Sequence, residues 1–431
     1  MRDGGRVAAA LDVLADFEAR RVPLKVCLSD WARRARFAGA KDRAFISGLS
    51  LDVLRRRRSL GARGALRVVV AACLHHQWAW SPSRIKEAFA EEPHGPGILL
   101  AEEEEAAFAP SSQDLPEDVL ADIPPFTHDL LSTVMDDLVA EGTAMAMRAP
   151  IDLRVNLLKA TPEKAIAALA GMGAEPSPLA YAGLRIPAPH AEDRGPQVTN
   201  TPAYQKGWVE IQDEASQLAA LAVGPIDGGQ ILDLCAGGGG KTLALAAHLG
   251  NRGQVFAYDQ DAGRLAPIFD RLRRAGTRNV QVLSPAEQGT EKLAALEGEM
   301  DVVFVDAPCS GMGTWRRHPD TKWRLTEAQL ANRQAEQDAV LDAAARFVKP
   351  GGLLIYVTCS LLREENEDRI AAFRATQTHF QSVDPKDMIT RSGGLKQGAL
   401  LPDANVEGFL RFSPYRTGTD GFTICVLRAE S

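Results

Sequence analysis

Cysteine is scarce in this sequence, with six in 431 residues. That is too few for a disulfide scaffold. No Cys–His spacing fits zinc, so no metal is expected. No apolar run reaches the length of a membrane span. The segment Ala65–Leu74 is short, and Arg67 interrupts it. Val7–Leu14 is broken by Asp12 and followed by Asp16 and Glu18, unlike a signal-peptide core. These absences, with thiols that gain a role only when reduced, imply a cytoplasmic protein without membrane partners. The formal net charge of −7 lacks the positive excess common in nucleic-acid binders. Its distribution is uneven. Residues 87–147 hold 15 Asp or Glu and no Lys or Arg, whereas residues 1–67 hold 16 Lys or Arg and 7 Asp or Glu. Two readings remain open: an unevenly charged solvated surface, or a basic face that attracts a phosphate backbone.

The length implies two or three domains. Residues 5–90 have helical periodicity and almost no two-residue alternation. Val7, Leu11, Leu14 and Phe17 form one apolar stripe. Further helices are expected over 29–36 with Ser29 or Asp30 as cap, 42–58, 66–78 and 82–89. Together they make a small helical bundle. Arg55–Arg58 would project around most of a helix circumference. Prolines, glycines and acids over 91–125 read as a linker. Helical pattern returns over 126–138. Residues 151–190 change to a small α/β pattern, with Thr161 capping a helix that begins at Pro162. From about 208 onward, short apolar strands alternate with helices, which implies a doubly wound parallel sheet. Phe422–Leu427 reads as a last antiparallel strand at or near an edge.

Ligands of such sheets bind beyond the carboxyl ends of the strands. Asp233, Asp259, Asp306 and Cys359 all fall at predicted ends of this kind. The loop Cys235-Ala236-Gly237-Gly238-Gly239-Gly240-Lys241 follows the first strand. A P-loop needs glycine six residues before the lysine, and Cys235 stands there. The dinucleotide fingerprint also fails, because Leu243 replaces its third glycine. A bare strand-to-helix turn is the plain alternative. With Asp259 as a ribose acceptor, the loop favours an adenosine compound without phosphates, and S-adenosylmethionine fits.

Two cysteines end strands in different contexts, Asp306-Ala307-Pro308-Cys309 and Thr358-Cys359, with 49 residues between them. Cytosine C5 is a poor nucleophile. A thiolate adding to C6 makes C5 enamine-like, and a second group must assist as the thiolate leaves. Two thiols can divide that work, while Asp306 hydrogen-bonds the ring. Buried packing is the ordinary fate of a free cysteine, and it is the reading for Cys27, Cys73 and Cys425. Cys235 is assigned packing or ligand contact. After Cys309, Arg316, Arg317, Lys322 and Arg324 lie between and beside Trp315 and Trp323. Interleaved cations and aromatics suit a stacked base and a phosphate; a solvated loop is the alternative.

Together these residues resemble the RNA 5-methylcytosine methyltransferases of the NOP2/Sun family, especially the bacterial small-subunit rRNA branch. The Pro308-Cys309 and Thr358-Cys359 pairs carry most of the resemblance. Gly207–Gln217 and Gly418-Thr419-Asp420-Gly421-Phe422 also match. The resemblance implies a Rossmann-like class I methyltransferase domain over 206–431. A helical NusB-like RNA-binding domain with an acidic linker would occupy 1–140, and a small α/β module 141–205. It implies Cys359 as nucleophile, Cys309 as release assistant and Asp306 at the base. Cys235, Ala236, Gly237–Gly240, Lys241 and Asp259 would hold S-adenosylmethionine. Arg316, Arg317, Trp323, Arg324 and Arg154 would contact RNA, expected to be 16S rRNA, and the enzyme is expected to be monomeric. Two departures stand out. The donor loop lacks the family's proline, and Ser284-Pro285-Ala286 replaces an acidic position near the adenine.

Other functions remain in contention. A DNA cytosine-5 methyltransferase would use a single Pro-Cys. An amino-group methyltransferase would want Asn- or Asp-Pro-Pro-aromatic at 306–309. A non-catalytic RNA-binding or ribosome-assembly factor could retain the fold, and another RNA such as tRNA could be the substrate.

Overall fold

The computed structural model describes residues 1–110, 114–193 and 195–431. The chain divides into two compact units. One comprises Met1–Ala149, Ala188–Pro196 and Thr314–Thr326, and the other comprises the rest.

The first unit is helical. Its main helices are Asp3–Arg20, Leu24–Arg34, Ala40–Arg55, Leu66–His76 and Pro82–Phe89. Val7, Leu14 and Phe17 bury one face of the first helix against Phe45, Ile46 and Leu49. The second helix begins at Leu24 after Pro23, so neither Ser29 nor Asp30 caps it. The third begins at Ala40. Asp42 reaches back from its first turn to accept the Gly39 N–H at 3.0 Å. The expected linker contains a helix, Ala101–Phe108. Glu102–Glu104 lie in its first turn, where the helix dipole favours negative charge. Of the acid- and proline-containing stretch that follows, residues 111–113 lie outside the described residues.

The basic run does not fan out from one helix, because the helix ends at Arg55 and Arg56 leaves helical geometry. Each arginine is held by protein groups. Arg55 is buried and binds Asp52 and the Arg316 carbonyl. Arg56 donates to Gln77 at 3.1 Å, Arg57 to Glu18 at 2.7 Å, and Arg58 to Asp118. Farther along, Arg67 pairs with Glu103 and Lys86 with Glu104. Much of the charge asymmetry in the sequence is thus met inside this unit: acids of 87–147 neutralise cations from the preceding helices.

Trp323 and Lys322 are buried here too, in the helix Pro319–Arg324. Lys322 Nζ donates to the Arg55 carbonyl at 3.0 Å. Burial pushes its pKa down to about 7. The unfolded chain then binds more protons than the folded one between pH about 7 and the ordinary lysine value of 10.5. Stability should therefore rise with pH across that window. Denaturant melts of the first unit at pH 7 and pH 9 should show this, and Lys322→Met should flatten the slope. An unchanged slope in that variant would assign the effect elsewhere.

The second unit contains two sheets. The smaller is antiparallel, in the order β2-β3-β1-β4, with β1 Ile151–Val155, β2 Glu175–Pro176, β3 Gly183–Ile186 and β4 Val209–Ile211. Thr161 caps Pro162–Leu169 by accepting the Lys164 N–H. The larger sheet contains β5 Gln230–Asp233, β6 Gln254–Tyr258, β7 Val280–Leu283, β8 Met300–Asp306, β9 Val348–Thr358, β10 Phe380–Val383, β11 Phe409–Phe412 and β12 Phe422–Ala429. Its order is β10-β12-β9-β8-β5-β6-β7, with β11 also pairing β12. β5 to β9 are mutually parallel. β12 runs antiparallel and lies inside the sheet, between β9 and β10. Ile231, Val302, Phe304 and Ile355 join the core on one face, while Leu232, Val303, Val305 and Leu354 join that on the other. Both faces are covered, so the strands read as continuous apolar runs. The chain reverses direction of build between β5 and β8, which puts a crevice at their carboxyl ends. This is a Rossmann-like doubly wound core, preceded in sequence by a helical region.

Candidate active site

Asp233 closes β5, Asp306 closes β8, Asp259 follows β6 and Cys359 follows β9. The parallel strands therefore deliver all four to one rim, as the sequence implied.

The donor loop bends through Gly237 and Gly239, whose φ angles are +49° and +80°. At Gly239 an added Cβ would lie 2.4 Å from Ile268, so only glycine fits. The Gly237 N–H donates to Asp259 Oδ2 at 2.9 Å, and the Asp261 N–H to Oδ1 at 2.9 Å. Asp259 thus fastens the loop and is 2% exposed. Arg271 donates to the Gly238 carbonyl at 2.6 Å. These bonds restrain a loop that has no proline. Asp233 is fully buried. Its Oδ2 accepts the Thr242 hydroxyl at 2.6 Å, while Oδ1 has no partner among the described residues. Burial raises its pKa to about 7. Burial likewise keeps the Cys235 thiol protonated.

Lys241 joins this loop to the other half of the rim. Its Nζ lies 2.5 Å from Asp306 Oδ2, and the ammonium sits over the Phe422 ring. Lys241 is buried while Asp306 remains a third exposed. The sequence placed these two residues in separate roles; the fold makes them a pair.

Cys309 and Cys359 come together, Sγ to Sγ, at 3.3 Å. The Cys309 pKa is raised well above the ordinary thiol value, first by its hydrogen bond to Cys359 and then by burial. Cys309 therefore holds a proton that it can share with Cys359. The two turns are braced by consecutive residues that sequence reasoning missed. Glu365 is fully buried and accepts the Ser310 N–H at 2.7 Å, the Ser310 hydroxyl at 2.5 Å and Gln337 Nε2 at 3.1 Å. Asn366 accepts the Thr358 hydroxyl at 2.8 Å and donates to the Leu362 carbonyl at 2.7 Å. Gly313 N–H donates to the Cys359 carbonyl at 3.0 Å. The Gly313 carbonyl accepts Gly421 N–H at 2.8 Å, and a Cβ on Gly313 would strike the Gly421 carbonyl at 2.1 Å. That close approach gives the Gly418–Phe422 segment its place beside the cysteine turns.

Residues 220–428 match the family described as 16S rRNA methyltransferase RsmB/F. The matched segment is a little under half of the chain. The RsmB/F segment includes the donor loop, Asp306 and both cysteines. The chain is 37% identical over 231 residues to ribosomal RNA small subunit methyltransferase B of Salmonella typhi, covering 52% of this chain and 51% of that protein. The Salmonella newport protein matches equally. The match thus spans about half the length of these curated relatives. Among solved structures, PH0851 is similar over all of this chain and 99% of its own, at 23% identity and TM-score 0.71. A methyltransferase homolog from Pyrococcus horikoshii covers 73% of this chain and 97% of its own, at 25% identity and TM-score 0.57. NSun6 from the same organism covers 72% and 98%, at 20% identity and TM-score 0.60. The structures below 25% identity speak for the fold alone.

The residues predicted to meet RNA make none of the rim bonds described above. Thr314–Thr326 belongs to the first unit, although it interrupts the RsmB/F segment in sequence. Trp323 donates its indole N–H to the Leu54 carbonyl at 2.6 Å and packs in the helical core. Trp315 is 1% exposed. Both tryptophans serve packing, so neither ring is a surface for a stacked base. Arg316 is buried, Arg317 half-buried, and Arg324 lies 3.4 Å from Asp320. Arg154 is buried in the small sheet. Among the described residues no group of His, Cys, Asp or Glu could hold a metal, and no helix is long and apolar enough to cross a membrane.

Proposed function

We propose that this chain methylates C5 of cytosine in RNA, with small-subunit ribosomal RNA as substrate and S-adenosylmethionine as donor. The 3.3 Å approach of Cys309 and Cys359 beside Asp306 carries the reading. The RsmB/F segment supports it. S-adenosylmethionine supplies an electrophilic methyl group when bound. The residues present suit it. Asp259 and Asp306 flank the glycine loop as acceptors, and Lys241, Arg264 and Arg271 stand beside them. Ala236 and Gly237–Gly240 allow close backbone approach, and Cys235 adds a neutral thiol.

In this reading Cys359 attacks C6 as the thiolate, stabilised by the Cys309 thiol. Asp306, oriented by Lys241, hydrogen-bonds the amino and ring-nitrogen edge of cytosine. After methylation a solvent water takes the C5 proton, the C–H electron pair restores the C5–C6 double bond, the C6–S pair leaves with Cys359 as thiolate, and Cys309 hydrogen-bonds the departing sulfur. The residues 1–140, 141–205 and 206–431 would serve as NusB-like RNA-binding domain, RNA-binding module and catalytic domain of a cytoplasmic monomer. Of the proposed RNA contacts, Arg317 and Arg324 are half-buried, while Arg316, Trp323 and Arg154 are buried.

Incubation with labelled donor and small-subunit rRNA should yield 5-methylcytosine. Label in tRNA alone, or at an amino group, would replace the substrate or the chemistry. No transfer to any RNA would favour an assembly factor. Asp259→Ala should weaken donor binding in calorimetry by roughly 10–100-fold, since it removes bonds to a charged acceptor. Unchanged affinity would remove Asp259 from the donor site.

A further inference from the structure

Four cations gather on one side of the second unit without carboxylate partners. Lys159 follows β1, Lys164 lies on the helix Pro162–Leu169, Lys206 precedes β4, and Arg278 precedes β7. All four are exposed, and none joins an ion pair among the described residues. Single cations in separate segments form no basic run, so the sequence gave no sign of this cluster.

Bonds across the unit hold the cations together. Lys159 Nζ donates to the Lys206 carbonyl at 3.2 Å and to the Arg274 carbonyl at 2.6 Å. Two of its three ammonium donors are thereby used on backbone, and one is left. Its stem packs on Gly276, where an added Cβ would lie 2.7 Å from Lys159 Cε. Lys164 and Lys206 share one ring, with Nζ atoms 4.0 Å and 5.1 Å from the centre of Trp208. The two ammoniums therefore lie within about 9 Å of each other, near one Debye length at physiological salt. Asn251 carries the face onward. Its Nδ2 donates to the Gly276 carbonyl at 3.3 Å, and its Oδ1 accepts the Arg278 N–H at 3.0 Å.

The neighbouring acids are committed elsewhere. Glu210 is buried and holds Arg271 and Arg274. Asp270 pairs with Arg273 at 3.0 Å, and Glu163 bonds the Thr161 side chain at its own helix cap. The clustered ammoniums thus repel one another with no carboxylate to relieve them, and a bound anion would. An ammonium is a compact point charge that takes phosphate without demanding one orientation. The cations run from the helix Pro162–Leu169 to the far side of the helix Ile268–Ala275, so a chain of anions fits better than one phosphate. Half-buried Trp208 and Tyr204 lie among them, with Arg274 over the Tyr204 ring at 4.0 Å. Such rings offer surface to a nucleotide and none to a carboxylate side chain. The helix Ile268–Ala275 also fastens the donor loop through Arg271 and the Gly238 carbonyl. A strand held on this face thus lies one helix away from that loop.

We propose that this face binds the sugar–phosphate backbone of the RNA substrate by charge, without reading its sequence. The assignment to RNA rests on the function proposed above. Fluorescence anisotropy of the full chain with a labelled oligouridylate, over a range of salt concentrations, tests it without methyl transfer. Combined Lys159→Gln, Lys164→Gln and Lys206→Gln should lower the slope of log affinity against log salt by about 2, since each lost phosphate contact on a single strand removes about 0.7. Affinity at low salt should fall roughly 10–100-fold. Lys164→Gln alone, on an exposed helix turn, should remove about a third of the slope change, and Lys164→Arg should restore it. Lys349→Gln with Lys386→Gln should leave the slope unchanged, because Asp301 and Asp403 already meet those charges. Retained calorimetric binding of the methyl donor reports that each variant is folded. An unchanged slope in the triple variant, or an equal fall in the Lys349 and Lys386 variant, would overturn the face. Polyglutamate of equal charge competing as well as the oligouridylate would reassign it to an acidic protein. RNA methylation with an unchanged slope in the triple variant removes the face alone. The expected slope change in a chain that methylates no RNA keeps the face and removes the methyltransferase reading.

Discussion

Cys359→Ala is expected to abolish both the covalent protein–RNA adduct and methyl transfer, with activity falling by roughly 10⁴-fold or more, the scale of losing a nucleophile. Cys309→Ala is expected to do the opposite to the adduct. The Cys359 thiolate can still add and the methyl can still transfer, but the sulfur loses its neighbour at 3.3 Å when it departs. Protein joined to RNA through Cys359 should then accumulate. Denaturing electrophoresis with mass spectrometry of the joined peptide reads both variants. An adduct formed by Cys359→Ala through Cys309 would reverse the roles and point to the mechanism of DNA-type enzymes. Calorimetric donor binding by both variants separates a chemical defect from a folding defect.

The second large effect is expected at Glu365, which touches neither cysteine sulfur. Its buried carboxylate accepts both donors of Ser310 and the Gln337 amide. Glu365→Ala leaves those donors buried. Each bond to a charged group is worth about 1.5–3 kcal/mol, so a loss of about 3 kcal/mol or more is expected in denaturant unfolding. The turn that carries Cys309 should also loosen. Trapped adduct should form more slowly while donor binding holds, because the glycine loop has its own fastening at Asp259. Glu365→Gln keeps the shape and one acceptor oxygen, and should recover part of both losses. Wild-type stability and adduct rate in Glu365→Ala would show that the turn is held by its other contacts.

Local chemistry made much of this site legible in the sequence. A parallel strand must end where its apolar run ends, and ligands of such sheets gather at carboxyl ends, so Asp233, Asp259, Asp306 and Cys359 could be assigned to one rim. The glycine loop announced itself through the same logic. The Glu365–Asn366 brace gave no comparable signal. Its hydrogen bonds cross to Ser310, Gln337 and Thr358, and polar residues at the start of a helix ordinarily face solvent.

The first unit shows the contrast most sharply. Periodicity alone set its helices, because an amphipathic stripe needs only some apolar surface to pack against. The destinations of its charges depended on partners far along the chain. Arg55–Arg58 and the acids of 87–147 looked like separate surfaces until folding paired Arg58 with Asp118 and Arg67 with Glu103. Trp315 and Trp323 looked like stacking platforms until the segment that bears them was placed among helices distant in sequence. The sequence by itself determined the elements, the sheet class and the reactive residues, since these follow from short-range pattern and residue chemistry. Which charges are paired inside the protein was settled by the fold, as at Arg58–Asp118, because a buried ion's partner is chosen by distance in space.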